Sequence, residues 1–300
     1  MALGLGTVAF GLDYGISNRN GRTPIDEAAR VLQRAEAAKL RVVDTASLYG
    51  QSELTLGHAM PRPHNFLIVT KTPKFGPALA SDSVDRLVQA FERSRQLMQV
   101  GQVYGLLIHQ ATDLLCEGSE KLIEAMQSLQ DAKLVTRIGM SVYDPATTLQ
   151  ILQRHGTQWL NLIQLPFNVF DQRFLNTEAL EKLQEAKAEI HARSPFLQGL
   201  LLMDPKNVAP YFDPWASHLE RYRAVVAELG LSPLSASLGF SLNTPFVHHT
   251  ITGACRLSEL DELIVAAQGA NAHPHLFEAL SSFKHTELAL IDPQRWPAVR

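Results

Sequence analysis

Four residues carry the side-chain types needed to place a proton on a carbonyl oxygen. In "VVDTASLYGQSE", residues 42–53, two β-branched residues run into Asp44, and Tyr49 follows just before Gly50. Lys71 ends the apolar stretch "FLIVTK", and His109 ends "YGLLIH". A phenol, with a reference pKa of about 10, is a poor general acid near neutrality. An ammonium group beside a phenol favours the phenolate. A carboxylate on that ammonium keeps it charged and fixed, and an imidazole nearby can hold a carbonyl oxygen in line. Together such groups protonate a carbonyl oxygen while its carbon is attacked. None of them donates hydride, so this chemistry requires a cofactor.

Singly, these residues have plainer explanations. Asp44 could be a loop carboxylate or a helix cap, Tyr49 a half-buried packing residue, and His109 a hydrogen-bonded core histidine. Lys71 is harder to explain that way, because lysine is seldom buried without a partner. Joint function depends on the elements that position them. Short apolar runs recur along the chain: "LGLGTVAF", "LRVVDTA", "FLIVTKT", "VYGLLIH", "LVTRIGMSV", "LNLIQLP", "EIHARSP" and "VHHTITGA". Between them lie segments with helical spacing at 24–39, 83–100, 120–131, 145–154, 178–187, 215–229 and 258–267, with an extra one at 234–241. Thr23-Pro24 and Asp144-Pro145 each read as an N-cap followed by proline at the first helical position.

Eight strands alternating with helices specify an α/β protein, a closed (β/α)8 TIM barrel forming a single domain over 1–300. The alternative is an open doubly wound sheet, for which Gly4-Leu5-Gly6-Thr7-Val8-Ala9 offers a G-x-G-x-x-A pattern. That fingerprint must follow a strand and open a helix. Here only three residues precede it, and Gly11 and Gly15 follow in place of a helix. In a barrel, catalytic groups come from the C-terminal ends of strands. Asp44, Lys71 and His109 end three consecutive strands, spaced about 4.8 Å apart, and Tyr49 lies in the loop after the first of these.

The composition excludes several classes. With 46% hydrophobic residues the chain is globular, and a net charge of -3 gives no electrostatic basis for a nucleic-acid or anionic-membrane partner. No apolar run approaches the roughly 20 residues of a membrane span. The 11 histidines form no metal-ligand spacing along the chain, so no metal is expected, and a metal-dependent hydrolase is disfavoured. The two cysteines, Cys116 and Cys255, form no CxxC, and "MALGLGTVAFG" lacks the basic flank of a signal peptide. The expectation is a cytoplasmic protein with reduced thiols that act as packing residues. His248 and His249 begin the eighth strand, at the rim opposite the catalytic one, and read as structural. Arg137 and Arg154 have no assigned role.

"DTASLYGQSE" followed by "VTKT" and "LLIHQ", within a chain running from "GLGTVAFG" to "ITGACRLSEL", resembles the aldo-keto reductase superfamily. The resemblance implies a (β/α)8 barrel that transfers hydride between a nicotinamide, NADP with NAD also possible, and a small carbonyl or alcohol substrate. It places the family's tetrad on Asp44, Tyr49, Lys71 and His109, with Tyr49 as proton donor. For the cofactor it implies Gly6, Thr7 and Asp44; Ser141 and Gln164 at the nicotinamide amide; and Arg193, Ser194, Phe196, Gln198 and Gly199 around the pyrophosphate. Gly253, Arg256 and Glu259 fall near an adenosine 2′-phosphate. Val142, Cys255 and Leu263 stand where the family more often has polar residues, and the usual N-terminal hairpin under the barrel is not apparent. Tyr14, Phe75 and Phe167, with Tyr49 and His109, are expected at an apolar substrate mouth, with Phe196 nearby in the rim loops. A rival class is a nicotinamide-binding regulatory or subunit protein, which would have no need of Lys71 beside Tyr49.

Overall fold

The computed structural model describes residues 2–13 and 21–297; Tyr14 lies outside the described residues. Eight parallel strands close into a barrel in sequence order. They are β1 (Leu3–Gly6), β2 (Val42–Asp44), β3 (Leu67–Lys71), β4 (Val103–Ile108), β5 (Val135–Ser141), β6 (Leu162–Pro166), β7 (Glu189–Arg193) and β8 (His249–Gly253). The ring is sealed by β8 against β1, in register from Leu3 with Thr250 to Gly6 with Gly253. The helices are α1 (Val8–Gly11), α2 (Ile25–Ala37), α3 (Ser52–Ala59), α4 (Ser83–Met98), α5 (Glu120–Asp131), α6 (Pro145–His155), α7 (Glu178–Glu185), α8 (Ala216–Glu228), α9 (Pro233–Leu242), α10 (Leu257–Gly269), α11 (Leu276–Ser281) and α12 (Leu288–Ile291). Among the described residues no single helix is long and apolar enough to cross a membrane.

Alternation along the strands sorts side chains between two cores. Val42, Val69, Leu107, Leu162 and Ile251 form a small apolar layer inside the barrel. Their neighbours Val43, Ile68, Leu106 and Ile163 join the main core between strands and helices. Two residues beyond each member of the inner layer comes the next inward position, which holds Asp44, Lys71, His109, Gln164 or Gly253. The polar rim is therefore the continuation of the inner apolar layer, one pleat further on.

Several local expectations change. A single helical turn, α1, does follow the Gly4–Gly6 stretch, but it is only four residues long. Asp144 caps α6, accepting from the Thr147 amide at 2.7 Å. Thr23 caps nothing: Pro24 is the N-cap of α2, and the Thr23 hydroxyl donates to the Cys255 carbonyl at 3.2 Å. That bond ties the start of α2 to the loop after β8. The segment after Tyr49 is also helical, as α3, although its apolar residues follow no clean 3.6-residue stripe.

Candidate active site

Tyr49 sits on a compact turn between β2 and α3. The Tyr49 amide donates to the Ala46 carbonyl, and the Ser52 amide donates back to the Tyr49 carbonyl, both at 3.0 Å. The turn packs directly on Gly11, where a Cβ would fall 1.7 Å from the Tyr49 carbonyl oxygen. Only glycine fits there. The buried Ser52 hydroxyl bonds to both the hydroxyl and the carbonyl of Thr7, each at 2.8 Å. Thr7 in turn donates its amide and its hydroxyl to the Asp44 carbonyl at 2.9 Å. One short network thus locks β1, β2 and the tyrosine loop together.

Beneath the turn lies a buried ion pair. Lys71 Nζ donates to both carboxylate oxygens of Asp44 and to the Thr45 carbonyl, each at 2.8 Å. The side chains of Lys71 and Asp44 are 1% and 6% exposed. Burial alone would lower the Lys71 ammonium, but the Asp44 carboxylate and the Tyr49 oxygen outweigh it, and the net shift is upward. Besides these bonds to Asp44 and Thr45 it faces Tyr49, with Nζ 5.0 Å from the ring centroid. Gln164 Nε2 donates to Asp44 Oδ1 at 2.8 Å. A second buried carboxylate, Glu53, accepts from Thr70 at 2.6 Å and props β3 just before Lys71.

His109 meets Tyr49 edge-on, with ring centroids 5.8 Å apart. Burial, then the positive charges of Lys71, Lys74 and Arg193, push the imidazole down to about 3. It is therefore uncharged near neutrality, and its buried Nδ1 has no partner. A neutral imidazole there can hydrogen-bond a carbonyl oxygen without contributing a competing charge.

These groups open into a cleft of about 570 Å³. Gly6, Thr7, Asp44, His109, Ser141 and Gln164 reach it from the strand ends, and Tyr49 from the turn after β2. Arg193, Ser194, Phe196, Gln198 and Gly199 reach it from the loop after β7, and Gly253 and Glu259 from β8 and the first turn of α10. The loop after β7 is unusual in having Ser194, Leu197, Gln198 and Gly199 all at positive φ. Such runs turn successive amides toward a common side and form anion-binding concavities. Asn168 holds the loop by donating to the Ser194 carbonyl at 3.1 Å. Arg193 donates to the Val142 carbonyl at 3.0 Å, and its guanidinium lies 4.2 Å from the ring centroid of Tyr143. A cleft with a polar rim at one end and an amide-lined, arginine-bearing loop along it fits a dinucleotide in size and charge.

Other expected residues are not brought to the cleft. Lys71 lies beneath it. Arg256 is exposed at the N-cap of α10 and does not line it. Phe167 is fully buried, its ring stacked on Phe240 and edge-on to Phe246, and Phe75 is 7% exposed beside Arg86. Neither forms an open mouth, because each anchors its loop in the apolar core. Tyr143 and Glu262 do line the cleft and went unrecognised in the sequence. Tyr143 is the second residue after Ser141, so its place after a strand end was the available signal. The N-terminus of α10 carries two carboxylates: Glu259 accepts from the Cys255 amide and Glu27 from the Leu257 amide, both at 2.7 Å.

The closed parallel barrel of eight strands with helices between them defines the (β/α)8 class. The chain belongs to the aldo/keto reductase family, whose sequence profile matches residues 2–271. It is thereby a carbonyl-reducing oxidoreductase. "Uncharacterized oxidoreductase YqkF" of Bacillus subtilis (strain 168) is 25% identical over 287 residues, covering 88% of this chain and 89% of that protein. Among solved structures, the aldo-keto reductase AKR11C1 from Bacillus halodurans superposes with a TM-score of 0.74 at 19% identity, covering 98% of this chain and 95% of the other. The glycerol dehydrogenase AKR11B4 from Gluconobacter oxydans gives 0.72 at 19% identity, covering 97% and 92%. At such identities the two likenesses concern the fold alone.

Proposed function

We propose that this protein reduces an aldehyde or ketone to an alcohol, or runs the reverse reaction, with Tyr49 as general acid. The observation that carries this reading is the Lys71–Asp44 pair, buried and triply bonded directly under Tyr49. Burying two charges is costly, and here it places a fixed positive charge beside a phenol at the edge of a cleft. Ser141, Gln164 and the loop after β7 would hold a nicotinamide along the cleft, which would supply the hydride. Tyr49 gives its proton to the substrate oxygen. Lys71 stabilises the negative charge that then develops on the phenolic oxygen, Asp44 and the Thr45 carbonyl hold Lys71 in place, and neutral His109 orients the substrate oxygen.

A second cleft of about 500 Å³ shares His109 and Tyr143 with the first. Lys74, Asp144, Arg173, Asp292 and Arg295 are among its lining residues, so charged groups stand in its walls where an apolar mouth was expected. This supports small polar carbonyl compounds as substrates over long-chain apolar aldehydes.

For the cofactor, Arg256 first favours NADP, since a guanidinium can bind a 2′-phosphate. The carboxylates of Glu27 and Glu259 reverse that reading. Glu27 already accepts from the Leu257 amide, the first of α10 and one a phosphate could use, and Glu259 from the Cys255 amide just before the helix; Arg256 lies close enough to Glu27 to help hold its carboxyl below the usual range, after the Leu257 amide and Arg30. NADH is therefore expected to bind more tightly than NADPH. The double variant Glu27→Gln/Glu259→Gln keeps the hydrogen-bond acceptors and removes both charges, so it should tighten NADPH by on the order of tenfold and leave NADH near its starting value. Dissociation constants from titration of nicotinamide fluorescence decide it. Parallel gains for both cofactors would mean these carboxylates do not face the 2′ position.

A further inference from the structure

We propose that the floor of the barrel, at the end opposite the cleft, holds one divalent transition-metal ion of the zinc class between Glu189, His191 and His249. Alternation puts Glu189 and His191 on the same face of β7, and the register of β7 with β8 sets His191 directly beside His249. On β8, His249 lies one inward position below Ile251 of the inner apolar layer. One donor atom from each of the three side chains falls within 4.8 Å of the other two.

The spacing suits such an ion. Zinc bonds of about 2.0–2.2 Å at tetrahedral angles place neighbouring donors about 3.3 Å apart. Glu189 Oε1 is 2.8 Å from His191 Nε2 and 4.0 Å from His249 Nε2, values on either side of that separation. The carboxylate is also held from behind. Its Oε2 accepts from the Tyr104 hydroxyl at 2.5 Å and pairs with Arg137 Nε at 2.9 Å. Arg137 donates to the Tyr104 oxygen at 2.7 Å. Outer partners on one oxygen, leaving the other turned toward two imidazoles, are the arrangement that orients a ligating carboxylate.

His191 is completely buried, and its Nε2 meets Glu189 Oε1 at 2.8 Å, a bond whose proton an ion would replace. His248, next in sequence, is engaged elsewhere, accepting from the Ile190 amide at 3.0 Å. Two histidines and one carboxylate leave a fourth position for water, and the His249 side chain, 21% exposed, gives it a path to solvent. A metal there clips β7 to β8.

The test uses the full chain freed of metal with a chelator, then titrated with zinc chloride by calorimetry and with cobalt(II) by visible absorbance. One equivalent of zinc should bind, and cobalt should give the bands of a four-coordinate site. His249→Gln should weaken zinc binding by at least about tenfold, and Tyr104→Phe, which loosens only the outer partner, by about tenfold. Both variants should keep wild-type carbonyl turnover, because neither residue touches the cleft. Absence of stoichiometric zinc binding at micromolar concentrations would overturn the proposal. So would affinity unchanged in both variants, which would place the ion on other histidines or on Cys116 or Cys255.

Discussion

Replacing Tyr49 by phenylalanine is expected to remove nearly all carbonyl reduction, with kcat falling by about 10²–10⁴-fold, the usual worth of a positioned general acid. Cofactor affinity should stay close to wild type. The substitution deletes one oxygen and its proton. The ring remains to pack edge-on against His109 and beside Lys71, and the turn is held by backbone bonds at Ala46 and Ser52 that do not involve the hydroxyl. Steady-state kinetics and a cofactor titration on the same preparation separate the two effects. A variant that kept most of its kcat would mean the proton comes from another group. Equal losses in turnover and cofactor affinity would mean the turn had moved.

The second large effect is expected at Lys71. Lys71→Met should lower kcat steeply, because charge developing on the phenolic oxygen would no longer be matched. It should also cost about 3–5 kcal/mol of stability, the cost of leaving one partner of a buried pair uncompensated. The two consequences can be separated. In the double variant Lys71→Met/Asp44→Asn no buried charge is left unpaired, so urea denaturation should show much of the stability restored, while turnover stays low. Turnover returning together with stability would show that Lys71 only supports the fold. Stability staying low in the double variant would show that the loss came from packing around the lysine stem and not from the unpaired Asp44.

The placement of the rim residues was readable in the sequence because strand periodicity sets it. Asp44, Lys71, His109 and Gln164 each stand two residues beyond a member of the inner apolar layer, and a short apolar run ending in a charged or polar residue shows that pattern without any structure. What could not be read depends on contacts between distant segments. Phe75 and Phe167 have the composition of exposed loop aromatics, and only the positions of Phe240, Phe246 and Arg86 decide that they are buried. Glu27 lies in the first turn of the first long helix, with nothing locally to suggest that it caps α10 at the far end of the chain. Thr7 and Ser52 look like ordinary loop hydroxyls until the turn after β2 folds over Gly11. The floor cluster escaped for a related reason: its histidines have no ligand spacing in sequence and meet through strand register.

The central claim is that a carbonyl is reduced in the cleft above Lys71, and one measurement addresses it directly. Purified protein with saturating NADH, and separately NADPH, is mixed with a panel of small polar aldehydes, ketones and sugars alongside long-chain apolar aldehydes, and the absorbance of the reduced nicotinamide is followed together with alcohol formation. The expected result is stoichiometric loss of that absorbance with the polar compounds, faster than with the apolar ones and absent with Tyr49→Phe. Firm cofactor binding with no absorbance loss for any carbonyl, in wild type as in the variant, would contradict it and would make the chain a nicotinamide-binding regulatory or subunit protein.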